Sequence, residues 1–164
     1  MAMTECLDAM PEDYARRGEV IQLLNKAMAS VVKYQDKKTG VWYDVMDVKD
    51  PRNYLESTAS SMFAYVLLKG YRKGYLSEQY RDAGIKAYQG ILKNFIRVNL
   101  DKTISLTQCC AVSGLGPGPG PYVTKPNYKR DGSFDYYMSE LSATTMPRAW
   151  VHSSGLAWRW SSKG

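Results

Sequence analysis

Glu56-Ser57-Thr58-Ala59-Ser60-Ser61-Met62-Phe63-Ala64-Tyr65-Val66-Leu67-Leu68 is the stretch on which the fold turns. After its hydroxyl-rich start, apolar side chains at Ala59, Met62, Phe63, Ala64, Val66, Leu67 and Leu68 surround the axis, so it predicts a helix from about Glu56-Ser57 that is buried on most faces. The flanking segments are apolar on one side only. Upstream, Val20, Leu24, Ala27, Met28 and Val31 recur at helical spacing. Pro11 suits a first helical turn and Glu12 and Asp13 its positive end, which predicts a helix from Pro11 to about Tyr34-Gln35-Asp36. The polar turn Lys37-Lys38-Thr39-Gly40 ends it. Downstream, Tyr80, Ala83, Ala87, Tyr88, Ile91, Leu92 and Phe95 predict another amphipathic helix, capped by Ser77 and running to about Val98, with Gly74 closing the buried helix before it. Met3, Cys6, Leu7 and Met10 predict a further helix at the start, with no capping residue ahead of it. The succession of outer, buried and outer helices gives an all-α fold of about four helices, layered as hairpins in an α/α toroid or solenoid.

The remainder is irregular. From Val41 to Leu55 the chain reads as a loop or short extended stretch with Trp42, Tyr43 and three aspartates, Asp44, Asp47 and Asp50. Thr103 to Thr107 alternates like a short strand, and the glycines and prolines from Gly114 to Pro121 exclude regular structure. Those glycines match neither a dinucleotide nor a phosphate-loop pattern, because no lysine-serine or lysine-threonine pair follows them; they read as a connecting loop.

At 164 residues the chain is long enough for one domain with a hydrophobic core, and 45% hydrophobic with 23% charged residues excludes disordered and fibrous classes. No apolar run approaches the roughly 18–20 residues of a membrane span, and Met1-Ala2-Met3-Thr4-Glu5 lacks a signal's basic start, so a soluble, cytoplasmic protein is expected. Cys6, Cys109 and Cys110 are odd in number, and the vicinal pair is a poor structural disulfide, which suits a reducing compartment. The net charge of +6 includes Arg148, Arg159 and Lys163 in a tail, 141–164, that has no acidic residue; the body is near neutral, so nucleic acid is not an expected partner.

Three segments carry a resemblance. Tyr34-Gln35-Asp36 with Thr39-Gly40-Val41-Trp42-Tyr43-Asp44-Val45, then Tyr54 to Met62, then Gly114-Leu115-Gly116 with Arg130-Asp131-Gly132-Ser133-Phe134-Asp135-Tyr136-Tyr137-Met138-Ser139-Glu140, are similar to the unsaturated rhamnogalacturonyl hydrolases of glycoside hydrolase family 105, relatives of family 88. The resemblance covers residues 1–140. It implies the C-terminal half of an (α/α)6 barrel of six hairpins, a fold whose enzymes remove an unsaturated galacturonyl residue from rhamnogalacturonan oligosaccharides by hydrating its double bond. The family's acid-base aspartate and its W-x-R-x-x-x-W stretch match no residues here, so an inactive fragment without cofactor is expected, able to self-associate through exposed barrel edges. The alternative is a non-catalytic helical binding or assembly module. Read one base earlier with permitted codons, Glu140 to Ser161 becomes T-I-R-D-N-D-A-K-G-V-G-P-F-I-W-A-C-V-E-M-E, which resembles the family's C-terminal segment. Residues 141–164 are therefore expected to be a frameshifted tail without the closing helix, and His152, Trp150, Trp158 and Trp160 accidents of frame.

No residue is assigned to catalysis. The candidate substrate contacts are Trp42, Ser57, Ser60, Tyr136 and Tyr137. Trp42, beside Tyr43, either stacks on a sugar ring or packs against helices. Ser57 and Ser60, with Thr58 and Ser61, sit in the first turn of the buried helix, where a uronate carboxylate is favoured; a plain cap by Ser57 is the bland alternative. Tyr136 and Tyr137 either donate hydroxyls into a cavity or pack. Asp44 and Asp47 read as a solvated loop rather than a catalytic pair. A body without histidine has neither a Ser-His-Asp triad nor the pattern of a metal site.

Overall fold

Five helices and four short strands occupy the described residues of the computed structural model, which are 1–111, 113–115, 130–140 and 142–144. In chain order they are α1 (Ala2–Ala9), α2 (Arg17–Lys33), α3 (Ser57–Arg72), α4 (Gln79–Asn94), β1 (Ile96–Val98), β2 (Ile104–Leu106), β3 (Cys109–Cys110), α5 (Phe134–Ser139) and β4 (Ser142–Ala143). The chain divides into two compact units, one of residues 1–42 and 59–94, the other of residues 43–58 and 95–164.

The first unit holds the four long helices. Leu7, Leu24, Met28, Val31, Trp42, Ala64, Val66, Leu67, Leu76, Ala87 and Ile91 form its core. Within α3 only Met62, Tyr71 and Arg72 are exposed, as its all-round apolar sequence requires, whereas α4 buries one stripe, Tyr80, Gly84, Ala87, Gly90 and Ile91. The chain leaves α3 through Gly74, at φ +72° and donating its N–H to the Tyr71 carbonyl at 2.9 Å, a conformation cheap only for glycine. Gly90 sets the spacing between α4 and the turn at 37–40 that follows α2. A Cβ there would lie 2.2 Å from the Thr39 carbonyl oxygen.

Two helix boundaries differ from the sequence expectation. α2 begins at Arg17 rather than Pro11, because residues 11–16 are all exposed and offer nothing apolar to pack. They form turns instead, with Tyr14 N–H on the Pro11 carbonyl and Arg17 N–H on the Tyr14 carbonyl. α4 ends at Asn94 rather than Val98. There the Asn94 amide donates to the Gly90 carbonyl at 2.7 Å, and the Phe95 carbonyl is taken by the N–H (2.8 Å) and hydroxyl (3.0 Å) of Thr107. Ile96 and Val98, β-branched, then extend into a strand.

That strand belongs to the second unit. β1 pairs antiparallel with β2 in the register Ile96–Leu106, Arg97–Ser105 and Val98–Ile104, so the strand expected around residues 103–107 exists and has a partner that the periodicity did not announce. β3 pairs with β4 through Cys109–Ala143 and Cys110–Ser142. α5 is capped by Ser133, whose hydroxyl accepts the Tyr136 N–H at 3.1 Å. Apart from residues 142–144, the tail expectation lies outside the described residues, as does the glycine-proline loop from 116 to 121. No helix among the described residues is long and apolar enough to cross a membrane.

Candidate functional site

The second unit gathers its polar groups where the 43–58 segment meets β3. Asn53, nearly buried, shapes the segment: its amide donates to the Val45 (2.7 Å) and Val48 (2.8 Å) carbonyls, and its oxygen accepts the Val45 N–H at 3.3 Å. A bridge between Tyr43 and Leu55, with Asp44 N–H on the Tyr54 carbonyl at 2.9 Å, then sets Asp44 beside Tyr54. One asparagine amide bonded to three backbone groups five to eight residues away is what holds this stretch as a defined loop.

Next in sequence, Glu56 is 2% exposed and stands at the entrance of α3. Its Oε1 accepts the N–H (3.0 Å) and hydroxyl (2.7 Å) of Thr58 and the N–H of Cys110 (3.0 Å). One carboxylate therefore satisfies both polar groups of Thr58 and the backbone N–H of Cys110.

Asp44 departs from the solvated-loop expectation. Its Oδ2 is buried with no hydrogen-bond partner among the described residues, and burial, reinforced by the Glu56 carboxylate, pushes its carboxyl up to about 6. The Tyr54 hydroxyl is also buried without a partner of ordinary hydrogen-bond geometry, with Cys110 and Asp44 as polar neighbours; burial pushes it upward as well. Both cysteines of the vicinal pair are free thiols, raised by burial. Asp47 is exposed and does not share the site.

The Asp44 shift fixes the sign of a stability change. Its carboxyl binds a proton more tightly folded (about 6) than unfolded (3.8), so the folded state loses stability as pH rises through that interval. Asp44→Asn, which is never ionised, is expected to raise the melting temperature above pH 6 and to change it little below pH 4. Equal shifts at both ends of a pH series would count against the assignment.

The five expected contact residues separate. In the first unit Trp42 is fully buried, with its indole N–H on the Val31 carbonyl at 2.8 Å and its backbone N–H on the Ser60 hydroxyl at 3.0 Å; its ring meets Phe63 edge-on at 5.1 Å. Of its two open readings, this geometry is packing. Ser60 is equally buried. In the second unit the buried Ser57 hydroxyl donates to the Cys109 sulfur at 3.2 Å, and the Tyr136 oxygen accepts the Gly114 N–H at 3.2 Å. Tyr137 is half-buried and tilts against Tyr136. Sequence reasoning passed over Tyr54 and Glu56 as site residues. The visible signal was their position, immediately before a buried helix.

The helical hairpins of the first unit are consistent with part of a helical glycoside-hydrolase fold, and it is comparison with known proteins that establishes it. The model of Glycosyl Hydrolase Family 88 matches residues 1–147, and the chain belongs to that family, in its family 88/105 group. Among solved structures, a C. acetobutylicum ATCC 824 glycoside hydrolase from family 105 is 38% identical, with a TM-score of 0.80 over 91% of this chain and 39% of that one. A possible family 105 member from Salmonella enterica serovar Paratyphi A is 29% identical, with a TM-score of 0.68 over 92% of this chain and 34% of that one. Protein Atu3128 of Agrobacterium fabrum is 32% identical over 145 residues, 85% of this chain and 58% of that protein. The chain thus spans somewhat over half of this relative and about two-fifths or less of the two structures.

Proposed function

We propose that this chain is the C-terminal portion of a hydrolase that removes an unsaturated galacturonyl residue from rhamnogalacturonan oligosaccharides by hydrating the double bond, and that it has no turnover alone. The observation carrying this reading is the match to the family 105 glycoside hydrolase, close in backbone yet covering only 39% of that chain. By resemblance, the acid-base aspartate and the W-x-R-x-x-x-W stretch lie upstream of the matching region. What this chain contributes is substrate contact. Asp44, whose buried Oδ2 has no hydrogen-bond partner among the described residues, and Tyr54, whose hydroxyl has only the Cys110 thiol and Asp44 as polar neighbours, supply hydrogen-bonding atoms for sugar hydroxyls, and a carboxyl titrating at about 6 can donate as well as accept. Of the two tyrosines expected from sequence to meet the substrate, Tyr137 is the one still partly exposed. No cofactor or metal enters the reaction, the expected location is the cytoplasm, and residues 141–164 are a frameshifted appendage to the family portion, 1–140.

The test is an assay on unsaturated galacturonyl-rhamnose that follows loss of the double-bond absorbance. No turnover is expected, and turnover that survives removal of contaminating enzymes would overturn the proposal. A second reading, a helical binding or assembly module, is favoured by exposed Leu23, Leu92, Val98 and Leu100. Concentration-dependent sedimentation together with no affinity for the oligosaccharide would select it.

A further inference from the structure

α1 meets the rest of the first unit through one apolar side chain, Leu7, and a cluster of charges. Only Thr4 and Leu7 of its eight residues are buried. Against them stands Lys69 of α3, whose side chain is 6% exposed while its partners Glu5 and Asp8 are 49% and 28% exposed. The Lys69 ammonium donates to Glu5 Oε1 at 2.7 Å and pairs with Asp8 Oδ2 at 2.8 Å. Two tyrosine hydroxyls reinforce the same carboxylates, Tyr65 on Glu5 at 2.7 Å and Tyr75 on Asp8 at 3.0 Å, and Lys73 stands 3.6 Å from Asp8. From α2, Arg17 donates to the Leu7 (2.6 Å) and Met10 (3.0 Å) carbonyls at the end of α1. The amino group of Met1 also interacts with Glu5.

A buried ammonium is tolerable only while anions face it. Lys69 depends on α1 for both of them, whereas Glu5 and Asp8 are exposed enough to be hydrated once α1 has left. We infer that α1 is a charge-latched arm: it leaves the body of the first unit as a separate step when Glu5 and Asp8 lose their charge, while α2, α3 and α4 stay folded. The sign follows from the carboxyls, which Lys69 holds below their usual values of 4.5 and 3.8. Their stabilisation is complete above those values and is lost as pH falls through the lower folded ones. The arm is therefore docked at neutral pH and released in acid.

Amide hydrogen exchange on the full chain, corrected for intrinsic rates, tests this. Between about pH 6 and about pH 3, protection of the α1 amides is expected to fall by roughly tenfold or more, and that of the α3 and α4 amides by less than about threefold. Lys69→Met removes the buried charge, so its α1 protection becomes nearly independent of pH whatever its starting level. Loss of protection in α1, α3 and α4 together would overturn the inference, as would an acid-sensitive α1 in Lys69→Met. If Lys69→Met fails to fold, Glu5→Gln with Asp8→Asn should show released α1 and protected α3 already at neutral pH, and a docked α1 in that variant would overturn the inference equally.

Discussion

Trp42→Ala is expected to destabilise the first unit by about 3–5 kcal/mol, the usual range for emptying a fully buried aromatic site. Trp42 is 0% exposed and is the largest fully buried side chain among the described residues, so its removal leaves a cavity rather than a surface dent. Its indole N–H also closes on the Val31 carbonyl near the end of α2, and its ring edge meets Phe63 on α3, so one side chain joins two helices and the loop. Against a total stability of about 5–15 kcal/mol for an ordinary domain, that loss takes from about a fifth of the stability to all of it. Trp42→Phe keeps most of the volume and forfeits the N–H, a loss of about 1 kcal/mol, because the Val31 carbonyl still accepts the Tyr34 N–H at 3.1 Å. Urea unfolding followed by circular dichroism distinguishes the two. A Trp42→Ala midpoint close to that of the parent chain would show that the site collapses and that the packing reading is overstated.

Glu56→Ala is expected to be the most damaging change in the second unit. It strips the acceptor from the Thr58 N–H, the Thr58 hydroxyl and the Cys110 N–H. A fully buried group left unpaired costs about 1–3 kcal/mol, and these three are only part-buried, so a total of about 1–3 kcal/mol is expected. Glu56→Gln retains an oxygen acceptor and should recover most of that loss. It has a second consequence that a purely structural role lacks: removing the neighbouring negative charge lowers the Asp44 carboxyl from about 6 toward its ordinary range. Hydrogen exchange at Cys110 reports the first effect, and a carbon-13 titration of the Asp44 carboxyl reports the second. An Asp44 titration unmoved by Glu56→Gln would mean that burial alone sets it.

Periodicity and punctuation made the helical unit legible. α3 could be read because apolar residues on every side of a helix have nowhere to go but inward, and α4 because its apolar stripe keeps a helical period. The ends of α2 and α4 were not readable in the same way. Pro11-Glu12-Asp13 is a good helix start locally, yet nothing in the unit packs against it; Ile96 to Val98 carries the apolar pattern of a continuing helix, yet Thr107, twelve residues beyond Phe95, takes the Phe95 carbonyl and turns the chain into a hairpin. Strand pairing is decided by a distant partner, and single-sequence periodicity does not contain it.

The candidate site divides along the same line. Sequence alone determined the family and the presence of a hydroxyl-rich turn ahead of a buried helix, because motif order and residue type are properties of the chain itself. It did not determine which of those side chains remain available to a ligand. Trp42, Ser57 and Ser60 have the chemistry of sugar contacts, but tertiary packing commits their polar groups to Val31, Cys109 and the Trp42 backbone. Asp44 has the chemistry of a solvated loop residue, and only the fold buries its Oδ2, gives it no hydrogen-bond partner among the described residues and sets Glu56 near enough to raise its pKa. Burial and unmet hydrogen bonding arise from segments far apart in sequence, and so the tertiary structure alone decides them.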